Sequence, residues 1–424
     1  MAVIYRQEII QDISLFVSQP KAKFYDELFS CLDLSPISGA HARTGRKSQK
    51  EALFCSFVVM KCEGFSQITD LHDYLINNLL IAHHCGFDIM KPLPSYWTFD
   101  RFIKNIDNHL FKAVMQKQVV KLAELGIIDT SFIGLDSTPV AANTAYNNPK
   151  SFRRNKFRKE NQPKADKDCK LGVHTASNQH NEKKYEFYWG YKNHVLVDCI
   201  TGLPIYETTT TAEIPDSTVA LDILAKTNEF LSVRECSFIG DKGYDVKDIY
   251  NTVKSVYEGE CFIPINPRGT KNHKLLPIGN PICDAGLAMV RDGKFTVKGI
   301  TRQKFCCPFK RTSLKNDCPC NHKAFKKGKN TGCTKYITIP DDYRLSINRD
   351  TVEFKSIYSL RTECERYNSR FKSSGQERLW TKNGKSAGNL NSVAHIALLA
   401  IALAAVVTRN SASYRCLKSV KRVA

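Results

Sequence analysis

Acidic side chains are in short supply. The 424 residues carry 42 Asp and Glu against 62 Lys and Arg, a formal net charge of +20. Solubility does not require such an excess, so a polyanionic partner is the first expectation, with a merely basic soluble protein as the plain alternative. Long apolar runs are missing as well. Met1 to Gln19 mixes charged and apolar residues, so no secretory signal is expected there. Val393 to Val407 is apolar but Ala-rich, holds His395, and is short for a membrane span of about 20 residues. It predicts a buried helix and no membrane partner. Without a secretory signal, 16 cysteines point to a reducing, cytoplasmic compartment, and to thiols or metal rather than disulfides. Tryptophan is rare, at Trp97, Trp189 and Trp380, and no internal repeat is visible.

What is present divides the chain. Residues 1–130 read as short helices with tight breaks: one from Ser48 to Cys62, with Glu51 as the second half of a capping box, then Ile68 to Leu79, Leu80 to Cys85, and a stretch from Ser95 to Leu125. On a basic chain this fits a helix-turn-helix-like DNA-binding module, or a helical dimerisation and packing domain. Residues 131–259 alternate strands and helices. Ser131 to Leu135 is a short apolar strand ending in Asp136. A basic loop covers 149–170, Tyr185 to Cys199 and Ile205 to Thr211 form a hairpin, and Cys236 to Gly240 is a strand ending in Asp241. Residues 260–350 are a Lys- and Cys-rich insertion. Residues 351–408 return to helix, and 409–424 form a basic tail. The fold class is α/β.

Two features carry chemistry. Phe132-Ile133-Gly134-Leu135-Asp136 and Phe238-Ile239-Gly240-Asp241 are both buried-strand patterns that release an Asp, and α/β sites collect at the carboxyl ends of strands. The second is Tyr358, Arg361, Glu365 and Lys372. At about 100° per residue they point to about 0°, 300°, 340° and 320°, one helix face, provided Phe354 to Lys372 is a continuous helix. Alone, such a stripe reads as a solvated face. With two strand-borne Asp residues it suits an enzyme that cuts nucleic acid. Three carboxylates in one cleft repel unless a cation intervenes, and oxygen-rich sites suit Mg²⁺ or Mn²⁺.

These motifs resemble the DDE transposases of bacterial insertion sequences, in the cut-and-paste group with a Tyr-x2-Arg-x3-Glu-x6-Lys signature. Leu135-Asp136-Ser137-Thr138-Pro139, Ile239-Gly240-Asp241-Lys242-Gly243-Tyr244, Gly190-Tyr191-Lys192-Asn193-His194 and Thr201-Gly202-Leu203-Pro204 extend the likeness over nearly the whole chain outside the insertion. The resemblance implies a ribonuclease H-like catalytic core with an N-terminal helical domain. It implies that Asp136, Asp241 and Glu365 are catalytic and hold two Mg²⁺ ions, and that Tyr358, Arg361 and Lys372 bind DNA at the element ends. The implied partners are double-stranded DNA, as terminal inverted repeats and target, and a second copy in a homodimer on DNA ends. The implied reaction is 3′-end cleavage and strand transfer by a nucleoid-associated bacterial enzyme. A nuclease without strand transfer and a domesticated DNA-binding regulator are the alternatives; the regulator predicts loss of an acid, and all three are present. The insertion lacks the tryptophan on which some relatives stack a flipped base, which counts against a base-flipping, hairpin-forming route.

Cysteine spacing in the insertion is not that of a C-x2-C pair. Cys307, Cys318, Cys320 and Cys333 form the best set for tetrahedral Zn²⁺; free thiols are the other reading.

Overall fold

The computed structural model describes residues 19–38, 49–177, 183–266, 276, 278–311, 333–338 and 343–409. Helix α1 (Pro20–Ser30) starts on a proline, where the missing N–H costs nothing. Helix α2 (Lys50–Glu63) stops at Gly64, whose φ of 74° gives a left-handed cap; Ser48, the expected N-cap, lies outside the described residues. Helices α3 (Ile68–Asn77) and α4 (Leu79–Cys85) follow. Extended backbone at Ile106 then divides α5 (Tyr96–Asn105) from α6 (Asn108–Glu124). Strands β1 (Phe132–Ala141), β2 (Lys170–Ser177), β3 (Lys183–Asp198) and β4 (Pro204–Thr211) come next. Helix α7 (Asp216–Asn228), β5 (Ser237–Ile239), α8 (Lys247–Ser255) and β6 (Glu260–Phe262) follow. Strands β7 (Val290–Val297), β8 (Ile300–Cys306) and β9 (Thr334–Thr338) precede α9 (Val352–Ser359), α10 (Thr362–Phe371) and α11 (Gly384–Val407).

Two local expectations change. Strand β1 does not end at Asp136 but runs on to Ala141. Its later backbone finds partners of its own: Ala141 N–H donates to the Glu377 carbonyl and Leu379 N–H to the Ala141 carbonyl. The continuous helix expected from Phe354 to Lys372 is broken between Ser359 and Thr362. There the Ser359 hydroxyl donates to the Ser356 carbonyl and the Thr362 hydroxyl to the Ser359 carbonyl. Such back-bonding competes with the helical ladder, and Leu360 and Arg361 N–H bond three residues back instead of four.

The chain forms two compact units: residues 1–129, 137–214 and 363–424 make the first, and 130–136 with 215–362 the second. The first is built around α11, which is buried from Ser386 to Ala405 except at Gly388 and is covered by α2, α5, α6 and β4. It has the length and composition of a membrane span, yet it is a core helix of this unit. Strand β3 pairs antiparallel with β2 through Lys170↔Gly190 and with β4 through Tyr191↔Thr211. Gly190 is needed here, because a Cβ would stand 2.3 Å from the Val140 carbonyl oxygen.

A polar chain crosses this apolar interior. Glu207, fully buried, accepts from Asn193 Nδ2 at 2.7 Å and Ser392 Oγ at 2.7 Å, and pairs with Lys112 at 2.6 Å. Burial pushes its carboxyl up, but Lys112 and His395 outweigh that and hold it below its ordinary value. Asn391 joins Thr209 to Gln376, and Gln376 Oε1 accepts from Lys61 Nζ at 2.6 Å.

In the second unit, the start of β1 pairs parallel with β5, and β5 with β6. The residues read as the start of the insertion therefore include a strand of this parallel set. Among the described residues of the insertion, β7, β8 and β9 form an antiparallel sheet in that order, with a small cluster of Cys283, Met289, Phe305, Cys307 and Cys333. Arg349 staples the return. Its buried guanidinium donates to the carbonyls of Ile263 and Arg344 and to the Tyr250 hydroxyl.

Burial lowers the Lys61 ammonium from 10.5 to about 7. Between those values the unfolded chain binds a proton that the folded chain lacks, so stability rises with pH across the window. Denaturant midpoints should therefore climb as pH rises above 7, and Lys61→Met should flatten the climb. An equal slope in the two proteins would refute this.

Candidate functional site

Register places the first two acids. Gly134 pairs with Ile239 across the parallel strands β1 and β5. Asp136 and Asp241 each lie two residues further on, so they leave adjacent strands at the same level, and neighbouring strands are about 4.8 Å apart. Asp136 sits where β1 parts from β5. Asp241 begins a tight turn: its Oδ1 accepts from Gly243 N–H at 2.7 Å. Gly243 permits that approach, since a Cβ would stand 2.8 Å from Asp241 Oδ1. Tyr244, 1% exposed, anchors the turn against Phe238 and Gly240.

Arg361 and Tyr358 belong to the same unit. Arg361 Nη2 stands 3.9 Å from Asp136 Oδ2, with both side chains about one-fifth exposed (22% and 18%). Tyr358 stacks on Phe354 at 6.1 Å, and Phe354 packs on Phe262 of β6. That ladder docks α9 on the parallel strands and sets the point from which Arg361 approaches Asp136. The structure thus gathers Asp136, Asp241 and Arg361 from distant parts of the sequence.

Glu365 and Lys372 belong to the other unit. Glu365 is on the exposed face of α10, opposite the buried Glu363, Cys364, Tyr367 and Phe371. Lys372, half-buried, starts a wider turn that closes at Gly375, φ 83°. The helix break at Leu360-Arg361 means that the single 100° phase no longer runs from Tyr358 to Lys372. Two glutamates on one helix have different surroundings. Glu363 is buried, pairs with Arg366, and lies close to Gly202.

Sequence reasoning passed over the groups that hold α10. The Tyr367 hydroxyl meets His395 Nδ1, and His395 stacks on both Tyr367 (5.7 Å) and Phe371 (4.8 Å). His395 Nε2 lies 2.9 Å from Asn193 Oδ1, which joins it to the Glu207 chain. Burial pushes the His395 imidazole down to about 4, against the pull of Glu207. A histidine inside an apolar run was the available signal. Asp245 was also missed; it is a buried acid bonded by the Tyr250 hydroxyl, Asn266 N–H and Arg344.

Among the described residues, no three His, Cys, Asp or Glu side chains are close enough together to hold a metal ion. The donor set at Asp136 and Asp241, carboxylate oxygens alone, has the chemistry of a hard divalent cation site. In the insertion, Cys307 and Cys333 are neighbours, joined by a backbone bond of 3.0 Å, and both are buried. Cys318 and Cys320 lie outside the described residues. No disulfide forms among the described cysteines.

The sequence matches the family described as "Transposase DDE domain" over residues 123–402. A comparison with curated proteins gives no match. Among solved structures, the chain is similar to a piggyBac transposase in a synaptic complex with hairpin DNA. The identity is 11%, the TM-score 0.40, and the match covers 98% of this chain and 79% of that one.

The two glutamates separate by experiment. Glu365→Gln should leave the thermal midpoint unchanged. Glu363→Gln, which removes the charge from a carboxylate 12% exposed and paired with Arg366, should cost about 1 kcal/mol in chemical denaturation. Equal losses would overturn the assignment of Glu363 to structure and Glu365 to the surface.

Proposed function

This chain belongs to the DDE transposase family, and from that premise we propose that it cleaves the 3′ ends of a DNA element and transfers them to target DNA. The single observation that carries the reading is the matched level of Asp136 and Asp241 on adjacent parallel strands, with Arg361 beside Asp136. The parallel set β1, β5 and β6 in one unit, and the antiparallel β3–β4 hairpin in the other, support a ribonuclease H-like core.

Asp136, Asp241 and Glu365 are the residues that would hold Mg²⁺ or Mn²⁺. When bound, such ions activate an attacking hydroxyl and stabilise the leaving oxygen. The chain's own cations do the positioning. Arg361 offers a planar fork of donors to a phosphate, and Lys372 offers a point charge; charge-assisted bonds of this kind are the strong ones. Tyr358, held by its stack on Phe354, offers a hydroxyl at a fixed height. The DNA taken is double-stranded, as element ends and as target, bound by a homodimer of a nucleoid-associated enzyme in the cytoplasm. In the insertion, the neighbouring Cys307 and Cys333 support a zinc site completed by Cys318 and Cys320. Folded protein that carries no zinc would assign all four as thiols.

A strand-transfer assay with Mg²⁺ and pre-cut ends tests the proposal. Joined products support it, cleavage alone supports a nuclease, and binding alone a regulator. Alanine at Asp136, Asp241 or Glu365 should lower the rate by roughly 10²–10⁴-fold, several kcal/mol of lost charge stabilisation, with DNA binding intact. Replacing Arg361 or Lys372 should instead weaken binding and lower the salt slope by about 0.9 for each lost phosphate contact. An acid variant with normal activity would remove that acid from the site.

A further inference from the structure

Between β1 and β2 the chain travels from Ala142 to Cys169 with only a short 3₁₀ turn at Ala145–Asn147. Loops of this length are either disordered or functional. This one is held down along its length. The Asn147 amide donates to the carbonyls of Ala142 and Trp189 and accepts from Trp189 N–H. Trp189, 1% exposed, sends its indole N–H to the Lys156 carbonyl at 2.7 Å. Gln162 Nε2 donates to the Cys169 carbonyl. Asp166, 2% exposed, accepts from the Tyr191 hydroxyl and from Asp168 and Cys169 N–H. Every pin uses a buried or backbone group, which leaves the outer side chains for another purpose.

Those outer side chains are mainly of one sign. Arg153, Arg154, Arg158, Lys159, Lys164 and Lys167 are exposed, against Glu160 and Asp168. Asp168 is already bonded to Gly384 N–H. Phe152 stands among them at 96% exposure. The loop also leans on the β2–β3 ribbon, where Phe157 meets Phe187 at 6.4 Å. The ribbon's cross-strand pairs Val173↔Phe187 and Thr175↔Tyr185 lie on one face, and Val173, Tyr185 and Phe187 are each about half exposed or more. A cationic rim beside an exposed apolar ribbon, on a chain of charge +20, would repel a second copy of itself.

We propose that this loop and ribbon form a second DNA-docking surface, in which the six cations take backbone phosphates and Phe152 meets the sugar edge. It uses none of Tyr358, Arg361 and Lys372, and only the choice of DNA as polyanion rests on the transposase reading.

The test measures equilibrium binding of the full chain to double-stranded DNA across a salt series. The loop variant carries Gln at Arg153, Arg154, Arg158 and Lys159. A control removes equal charge elsewhere, with Gln at Lys23, Lys121, Lys226 and Lys247, all exposed. Each lost phosphate contact lowers the slope of log K against log salt by about 0.9, so the loop variant should lose about 3 to 4 and the control much less. Its thermal midpoint should move little, because no hydrogen-bonded pin is touched and only the Arg153–Tyr146 ring contact is lost. Phe152→Ser should weaken binding severalfold at every salt with the slope unchanged. Equal slopes for the loop variant and control, or no DNA binding by the parent chain, would overturn the surface. If the loop slope falls as expected but the parent chain neither cuts nor joins DNA, the surface stands and the transposase reading fails.

Discussion

The charge of Glu207 is the constraint on which the first unit depends. A carboxylate with no solvent costs several kcal/mol unless it is paired and hydrogen-bonded. Here the compensation comes from four elements at once: β4 supplies the acid, α6 supplies Lys112, β3 supplies Asn193 and α11 supplies Ser392. None of them can rotate or slide by one residue without taking a partner from the buried carboxylate. An apolar helix such as α11 would otherwise have little to fix its register, because Ala, Leu and Ile faces repack at small cost. The polar groups on α11 therefore select one alignment. His395 passes that alignment to Tyr367, and Tyr367 to α10. The exposed position of Glu365 is set from the far side of its own helix.

Much of this was legible in the sequence, for identifiable reasons. Strands β1 and β5 announce themselves because a short Phe-Ile-Gly run that leads into Asp, with Leu135 added in β1, leaves few other readings. The helices of the N-terminal half follow from Gly64, Gly86 and the periodicity between them. The register that levels Asp136 with Asp241 was not legible, since strand pairing is a property of two distant segments. Nor was the break at Leu360-Arg361. Serine and threonine are tolerated in helices, and only the geometry shows that Ser359 and Thr362 bond backward here. Strand β1 ran past its expected end because its later partners, Glu377 and Leu379, are more than 200 residues away.

The distribution of buried charge also separates acids used by the fold from those proposed for the site. Glu207, Asp245 and Asp166 are enclosed, and each has several donors from its own unit. Glu363 is likewise buried and paired. Composition treats these as equal to Asp136, Asp241 and Glu365. Burial does not: the first group has surrendered its lone pairs to the fold, whereas Asp136, Asp241 and Glu365 retain contact with solvent. An acid must keep oxygen atoms available to serve a cation or a phosphate-bound hydroxyl.

The same logic applies to the positive side chains. Lys61 and Arg349 are enclosed, with their donors used within the fold. Arg361 is in between, with 22% of its side chain exposed and a carboxylate at 3.9 Å. At that separation and partial solvation a single ion pair contributes little to stability, so holding the fold is a poor account of the pairing. Two carboxylates brought level on adjacent strands repel each other, and a guanidinium beside one of them reduces that repulsion. A guanidinium is also the better group for a bidentate grip on phosphate. One residue thus fits both conditions: it lies beside Asp136, and under the proposed function it is also the group that would meet the phosphate.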